Sequence, residues 1–435
     1  MHITKRKAMQ DRSTEGKHTA GWFTNMAFDF KSFARFTCLA LFQNRGTNYR
    51  LTPRRAGWLL LFYTLFPLLE LAAWIGFTLD EILFRAYRRQ EIRRPVFLIG
   101  NPRSGTTFLY HLLAKDRDTF TCMRTWELFF APSVALRKVC KALATLDRPL
   151  GRPVQKQLAA WEARCQERIP MHRLGMHVPE EDEYLLLHIW SNLLIWEFSA
   201  ILEGAIPLTY FDRAMPEAGK KRIMAFYRRG LQRHLYAHGI DGQPARHYLS
   251  KNPSFCPKVD ALCGWFPDAR FIYLVRNPLD VVPSYINSLN YGWRLLGDPV
   301  EGRSSRDFVL DMAGHWYRYP LERLERLPSD RFMVVRLEDL SANLEQTVAG
   351  IYRRLGFEIS PSFARVLQQE ATRSCHHRSK HRYSLRQTGV TREQIVATYR
   401  DVFDRFGFDT REDKVVFTTE TGDRLVARTQ RVDEY

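Results

Sequence analysis

The stretch FLIGNPRSGTTFLYHLL, Phe97 to Leu113, decides the fold. An apolar run ends at Gly100, a short polar turn follows, and an amphipathic pattern starts at Thr106. A strand, a tight turn and a helix in this order make an anion cradle, because loop amides and the helix N-terminus point at one ligand. The nucleotide-hydrolysing loop G-x-x-x-x-G-K-[ST] is the natural comparison. Gly100 and Gly105 keep its spacing and Thr107 keeps its hydroxyl, but the lysine position holds Thr106. Arg103, Ser104, Gly105, Thr106 and Thr107 offer a guanidinium, hydroxyls and amides to a phosphate or sulfate.

Three segments downstream repeat the pattern of a short apolar run ending in a polar tip: ARHYLSKNP, ARFIYLVRNP and DRFMVVRLEDL. Each is followed by a helical pattern. Strands alternating with helices predict an α/β fold with a central parallel sheet and functional residues at the strands' carboxyl ends. A Walker-type hydrolase needs an acid at such a tip to hold Mg²⁺. FIYLVRNP ends in Arg276 instead, which argues against ATP or GTP hydrolysis.

In LVRNPLDVVPSYINSL, Arg276 stands at a strand end and Ser284 about two turns into the next helix, so both can reach one anion. Together with the PRSGTT loop, this resembles the sulfotransferases that use 3′-phosphoadenosine 5′-phosphosulfate (PAPS), in the bacterial and tyrosylprotein-like branch. The resemblance runs from about Pro95 to Gly407. It implies a P-loop-like three-layer sandwich with helical insertions. It also implies a first loop on the 5′-phosphosulfate, an Arg276–Ser284 grip on the 3′-phosphate, and no metal. HRYSLRQTGVT resembles a lid over the nucleotide, with Tyr383, Ser384, Arg386 and Gly389 as candidates and a plain surface turn as the alternative.

Sulfuryl transfer needs in-line positioning, cations near the bridging oxygen, and a base for the acceptor hydroxyl. Arg103 and Lys251 are the candidates on the leaving-group side. Lys251, in YLSKNP, matches the K-x-P lysine of tyrosylprotein-like members. Glu127 in MRTWELFF leads as base, since its apolar neighbours would raise its pKa. The run Glu180, Glu181, Asp182 and Glu183 competes, with helix capping as its alternative role, and His172 and His177 come third. SCHHRSKH, Cys375 to His381, has no regular ligand spacing and reads as a basic loop.

The chain has 435 residues, a net charge of +18 and seven cysteines without a C-x-x-C pair, which suits a reducing, cytoplasmic setting. Its basic residues are dispersed and carry no nucleic-acid motif, so nucleic acid is not an expected partner. No secretory signal is read at the start of the chain. AGWLLLFYTLFPLLELAAWIGFTLDEILF, Ala56 to Phe84, is long enough to span a bilayer but carries Pro67 and Glu70 and has arginines at both ends. The readings are an interfacial helix pair on anionic lipid at the inner face of the membrane, a buried hairpin, or a span. The expected organisation is a basic, poorly structured 1–50, an apolar segment 51–94, a catalytic domain 95–410 with a helical acceptor-side insert at about 134–240, and a tail 411–435. The expected activity is sulfuryl transfer from PAPS to a hydroxyl of an apolar or lipid-like acceptor. A nucleotide kinase and a non-catalytic, membrane-associated nucleotide binder are the rivals.

Overall fold

The computed structural model describes residues 28–168, 175–240, 246–297, 304–374 and 388–410. Five parallel strands form one sheet: β1 (Val96–Ile99), β2 (Phe120–Thr121), β3 (His247–Lys251), β4 (Arg270–Val275) and β5 (Phe332–Arg336). Their order is β2-β3-β1-β4-β5, with β1 in the middle. Leu98 of β1 sits level with Lys251 of β3 and Ile272 of β4. The central strands read as unbroken apolar runs because helices cover both faces. Val96 and Leu98 face a layer containing Leu109, Val348 and Tyr352. Phe97 and Ile99 face the other layer, with Phe255, Phe266 and Trp316. This is the expected α/β sandwich.

The chain leaves β1 for the β2 edge, returns through β3, and then crosses to β4 on the other side. A reversal of this kind opens a crevice above the carboxyl ends of the strands. The PRSGTT loop follows β1, Lys251 ends β3 and Arg276 follows β4, so all three polar tips meet at that crevice. Two glycines make the loop fit. Gly100 has φ +158°, and a Cβ there would lie 2.3 Å from the Leu274 carbonyl oxygen. Gly105 has φ +92°, and a Cβ there would lie 2.6 Å from Leu337 Cδ1. It caps the helix Thr106–Leu113.

Residues 53–83 differ from the expected pair or hairpin: they form one helix, Pro53–Leu83, that runs straight through Pro67. The helix is roughly 46 Å long, and long and apolar enough to cross a membrane by length and composition. Its polarity explains its persistence. Arg55, Glu70 and Asp80 lie on its buried face, while Leu60, Leu68 and Ile82 are 71%, 62% and 62% exposed. Asp80 accepts from the Val134 and Ala135 amides at 3.0 and 2.8 Å and from Arg233 Nε at 2.9 Å. Glu70 faces His188 Nδ1 at 2.8 Å, and His188 Nε2 donates to the Leu128 carbonyl at 2.8 Å. Each contact ties the helix to the α/β core. Within 1–50, a helix Phe30–Leu41 packs Phe33 and Phe36 edge-on against Trp190.

Replacing Asp80 by alanine removes the acceptor of two buried amides and the closest partner of buried Arg233, leaving it only the longer contact to Glu81 at 3.4 Å. Urea denaturation should show a loss of about 3–5 kcal/mol; a loss below 1 kcal/mol would contradict this anchoring role. The helix also makes stability depend on pH. Burial disfavours protonated His188, but Glu70 outweighs that and raises its pKa. The stabilisation is therefore complete below the unfolded-state value of about 6.5 and is lost as pH rises through the higher folded value. The melting temperature should fall across that window, and Glu70→Gln should flatten the fall.

Candidate active site

A cavity of about 590 Å³ lies above the sheet at the crevice, lined by Arg103, Thr107, Glu181, Lys251 and Arg276 among others. Arg103 Nε donates to Ser284 Oγ at 3.0 Å, and Arg276 donates to the Arg103 carbonyl at 3.1 Å. The first loop and the Arg276–Ser284 pair therefore form one continuous donor surface. Ser284 reaches it from inside the helix Pro278–Leu296, where it is buried. Arg276 Nε also meets Asp280 at 3.2 Å, one turn along that helix.

The loop has no lysine of its own, and β3 supplies one. Lys251, buried at the strand end, donates from Nζ to Thr107 Oγ1 at 3.1 Å and to Glu181 Oε1 at 2.5 Å. A cation and a carboxylate thus stand together at the hydroxyl of the phosphate loop.

The acidic run divides its labour. Asp182 is fully buried and accepts from Tyr227, Tyr248, Ser250 and Asn252. Burial raises its pKa and these donors oppose the rise. Glu183 Oε1 lies 3.5 Å from Lys258 and accepts from the Leu193 amide. Glu180 accepts from the Glu181 amide at 2.9 Å, and burial with the nearby Glu181 charge raises its pKa. The run does start a 3-10 helix, Asp182–Ile189, with Asp182 and Glu183 in its first turn, but the N-cap residue Glu181 makes no side-chain capping bond. Glu181 is the member whose side chain joins the cleft to Lys251.

Glu127 does not line this cavity. It is buried, with Oε2 accepting from the Arg124 amide at 2.8 Å and Oε1 3.0 Å from Arg137. Burial alone would raise its carboxyl, as expected from its apolar neighbours. Arg137 and the flanking His234 and His238 outweigh burial and hold it well below the usual range. A carboxylate held this way is a poor proton acceptor. His177 is exposed and packs edge-on against Trp126, outside the cavity. His172, the Cys375–His381 segment, Tyr383, Ser384 and Arg386 lie outside the described residues; Gly389 forms a turn whose carbonyl accepts from Arg306.

Glu127, His234 and His238 have donor atoms close enough to hold a metal ion. Their chemistry does not fit one. Arg137 donates to His234 Nδ1 at 3.1 Å, so that nitrogen is the unprotonated one, and Nε2 is left to donate to Thr121 Oγ1 at 2.9 Å. Both imidazole nitrogens are used, and a permanent cation already sits among the three side chains.

One residue of the cleft was not singled out from sequence. Glu197 is fully buried in the wall, accepts from the Tyr285 hydroxyl at 2.7 Å, and leaves Oε1 without a hydrogen-bond partner among the described residues. Burial lifts its pKa to about 8 against the opposing Tyr285 bond, so it is largely protonated at neutral pH. A lone acid in the apolar string LLIWEFSA was the available signal.

A model of the sulfotransferase family matches residues 95–361. The chain belongs to that family. The sulfotransferase is 25% identical over 327 residues to the omega-hydroxy-beta-dihydromenaquinone-9 sulfotransferase Stf3 of Mycobacterium bovis, a match covering 72% of this chain and 75% of the relative. The same figures hold for Stf3 of Mycobacterium tuberculosis. Among solved structures, STF9 from Mycobacterium avium superposes with a TM-score of 0.60 at 18% identity, over 76% of this chain and 81% of that one. STF1 from Mycobacterium tuberculosis gives 0.58 at 21%, over 76% and 82%. These likenesses bear out the fold.

The sulfotransferase should tolerate loss of Glu127 in its chemistry but not in its stability. Glu127→Gln leaves Arg137 buried without its counter-charge, so denaturant unfolding should show a loss of roughly 3 kcal/mol, while the fraction that stays folded turns over at the wild-type rate. A large drop in turnover with unchanged stability would restore Glu127 as base.

Proposed function

We propose that this sulfotransferase moves a sulfuryl group from PAPS to the hydroxyl of an apolar, lipid-like acceptor at a membrane surface. The observation that carries the reading is the Lys251–Glu181–Thr107 contact at the end of β3, inside the cleft formed by the PRSGTT loop and Arg276. The donor's chemistry fits the residues present. Loop amides and Lys251 suit the 5′-phosphosulfate, and Arg276 with Ser284 the 3′-phosphate; Arg103, expected on the leaving-group side, bonds to Ser284 and so suits the 3′ side.

In the reaction the acceptor oxygen attacks sulfur, a new S–O bond forms, and the S–O bond to the bridging phosphate oxygen breaks. The acceptor proton passes to the Glu181 carboxylate. The displaced adenosine 3′,5′-bisphosphate (PAP) keeps the bridging oxygen and its added negative charge, next to the Lys251 ammonium. Glu181 is preferred as base because Asp182 is saturated by four donors and Glu183 is tied to Lys258 and the Leu193 amide. Protein cations near the transferring group do the work that a metal does in nucleotide kinases.

The acceptor class rests on the outward apolar face of the helix Pro53–Leu83, with exposed Arg54 near its start and exposed Arg85 and Arg89 just beyond its end. An apolar face with basic ends suits an anionic bilayer surface. The lipid acceptor in the name of Stf3 is in keeping with it.

Calorimetric titration without Mg²⁺ tests the donor. PAP should bind more tightly than ATP, and Arg276→Ala should weaken PAP roughly 10- to 100-fold. ATP binding of equal strength that ignores Arg276 would overturn the PAPS reading. Glu181→Gln should leave PAP affinity unchanged and lower kcat by about 10²- to 10⁴-fold; an unchanged kcat would remove Glu181 as base.

A further inference from the structure

A second cavity, of about 340 Å³, lies beside the reaction cleft. Tyr184, Leu194, Phe198 and Leu296 line both, so the two spaces share one wall of carbon. The far side of the second cavity is built from the helix Pro53–Leu83 through Trp58, Leu59 and Phe62. Trp58 is 42% exposed and belongs to the helix that carries the outward apolar face. The cavity therefore lies between the cleft and the outward apolar face of that helix.

Two of its polar residues are tied to the wall, although Arg55 Nε has no hydrogen-bond partner among the described residues. Arg55 donates to the Ser199 carbonyl at 2.8 Å. Asn192 accepts from the Ile195 amide and donates to the Glu183 carbonyl. Where the two spaces adjoin, the shared residues Tyr184, Leu194, Phe198 and Leu296 carry no charged side chain. The volume is that of a site for a drug-sized ligand portion, and the cradle and cations that take the donor lie wholly in the neighbouring cleft.

We infer that this second cavity is the tail site of the acceptor: a hydrocarbon chain enters beside Trp58, passes the Leu194–Phe198 neck, and presents a terminal hydroxyl to the reaction cleft. This rests on the sulfuryl-transfer reading above and adds where the rest of the acceptor lies. It makes chain length, rather than headgroup, the main selector, because each methylene buried in such a cavity contributes a similar increment.

The test uses the full chain, PAPS, and primary alcohols from butanol to dodecanol. Wild-type kcat/KM should rise roughly fourfold per methylene and then level off as the cavity fills. Ile195→Trp and, separately, Leu187→Trp fill the cavity without touching the cleft. Each should level off at a shorter chain, with butanol turnover and PAP affinity unchanged. Equal rates for butanol and dodecanol, or an unaltered rise in both variants, would overturn the tail site while leaving the donor reading intact. PAP binding with no alcohol sulfated would also overturn it, because a chain site leading to the reacting oxygen must accept a primary alcohol. Absence of PAP binding would overturn the PAPS reading itself and the tail site with it.

Discussion

The site depends on one buried carboxylate that does not itself line the cleft. Asp182 takes hydrogen bonds from Tyr227 on the long helix Glu217–Ile240, from Tyr248 and Ser250 on β3, and from Asn252 just past it. Those four donors tie the acidic segment to the end of β3. A register so fixed leaves the preceding residue, Glu181, beside the strand's last residue, Lys251. A fully satisfied buried network of this kind rigidifies what it joins. Glu181 and Lys251 are therefore positioned by a group outside the cleft.

The same economy governs the cations. In Walker loops the lysine belongs to the loop. Here the loop gives that position to a threonine, and the neighbouring strand delivers the ammonium to the Thr107 hydroxyl. Arg103 and Arg276 come from β1 and β4 and meet through Ser284 and the Arg103 carbonyl. Three adjacent strands each send one cation to a common edge. Parallel pairing is what puts their ends side by side, and helices on both faces make that pairing stable.

What the sequence revealed and what it hid differ by the distance over which each feature is decided. The cradle was legible because Gly100, Gly105 and Thr107 sit within eight residues, and the second anchor because Arg276 and Ser284 lie two turns apart. The choice among acids was not. Glu127 looked apolar in its local string, but Arg137, His234 and His238 converge on it from two other helices and reverse the sign of its pKa shift. Glu181 differs from its three neighbours in the run only through partners about seventy residues downstream. Pro67 suggested a break in the apolar segment, and propensity was overridden by Asp80, Glu70 and Arg55, each bonded to a distant part of the core.

That helix departs from an ordinary surface helix: Arg55, Glu70 and Asp80 point inward, and most of its leucines point outward. The two faces answer to different demands. On the inner face, a substitution must preserve geometry, since Asp80 serves three donors at once and no other side chain reaches them in the same way. On the outer face the exposed leucines and Ile82 have no hydrogen-bonding group to place, so side-chain geometry is less constrained there. One helix thus carries a strict code and a loose one, interleaved every three to four residues, so its sequence can drift widely along one stripe while the other stays fixed.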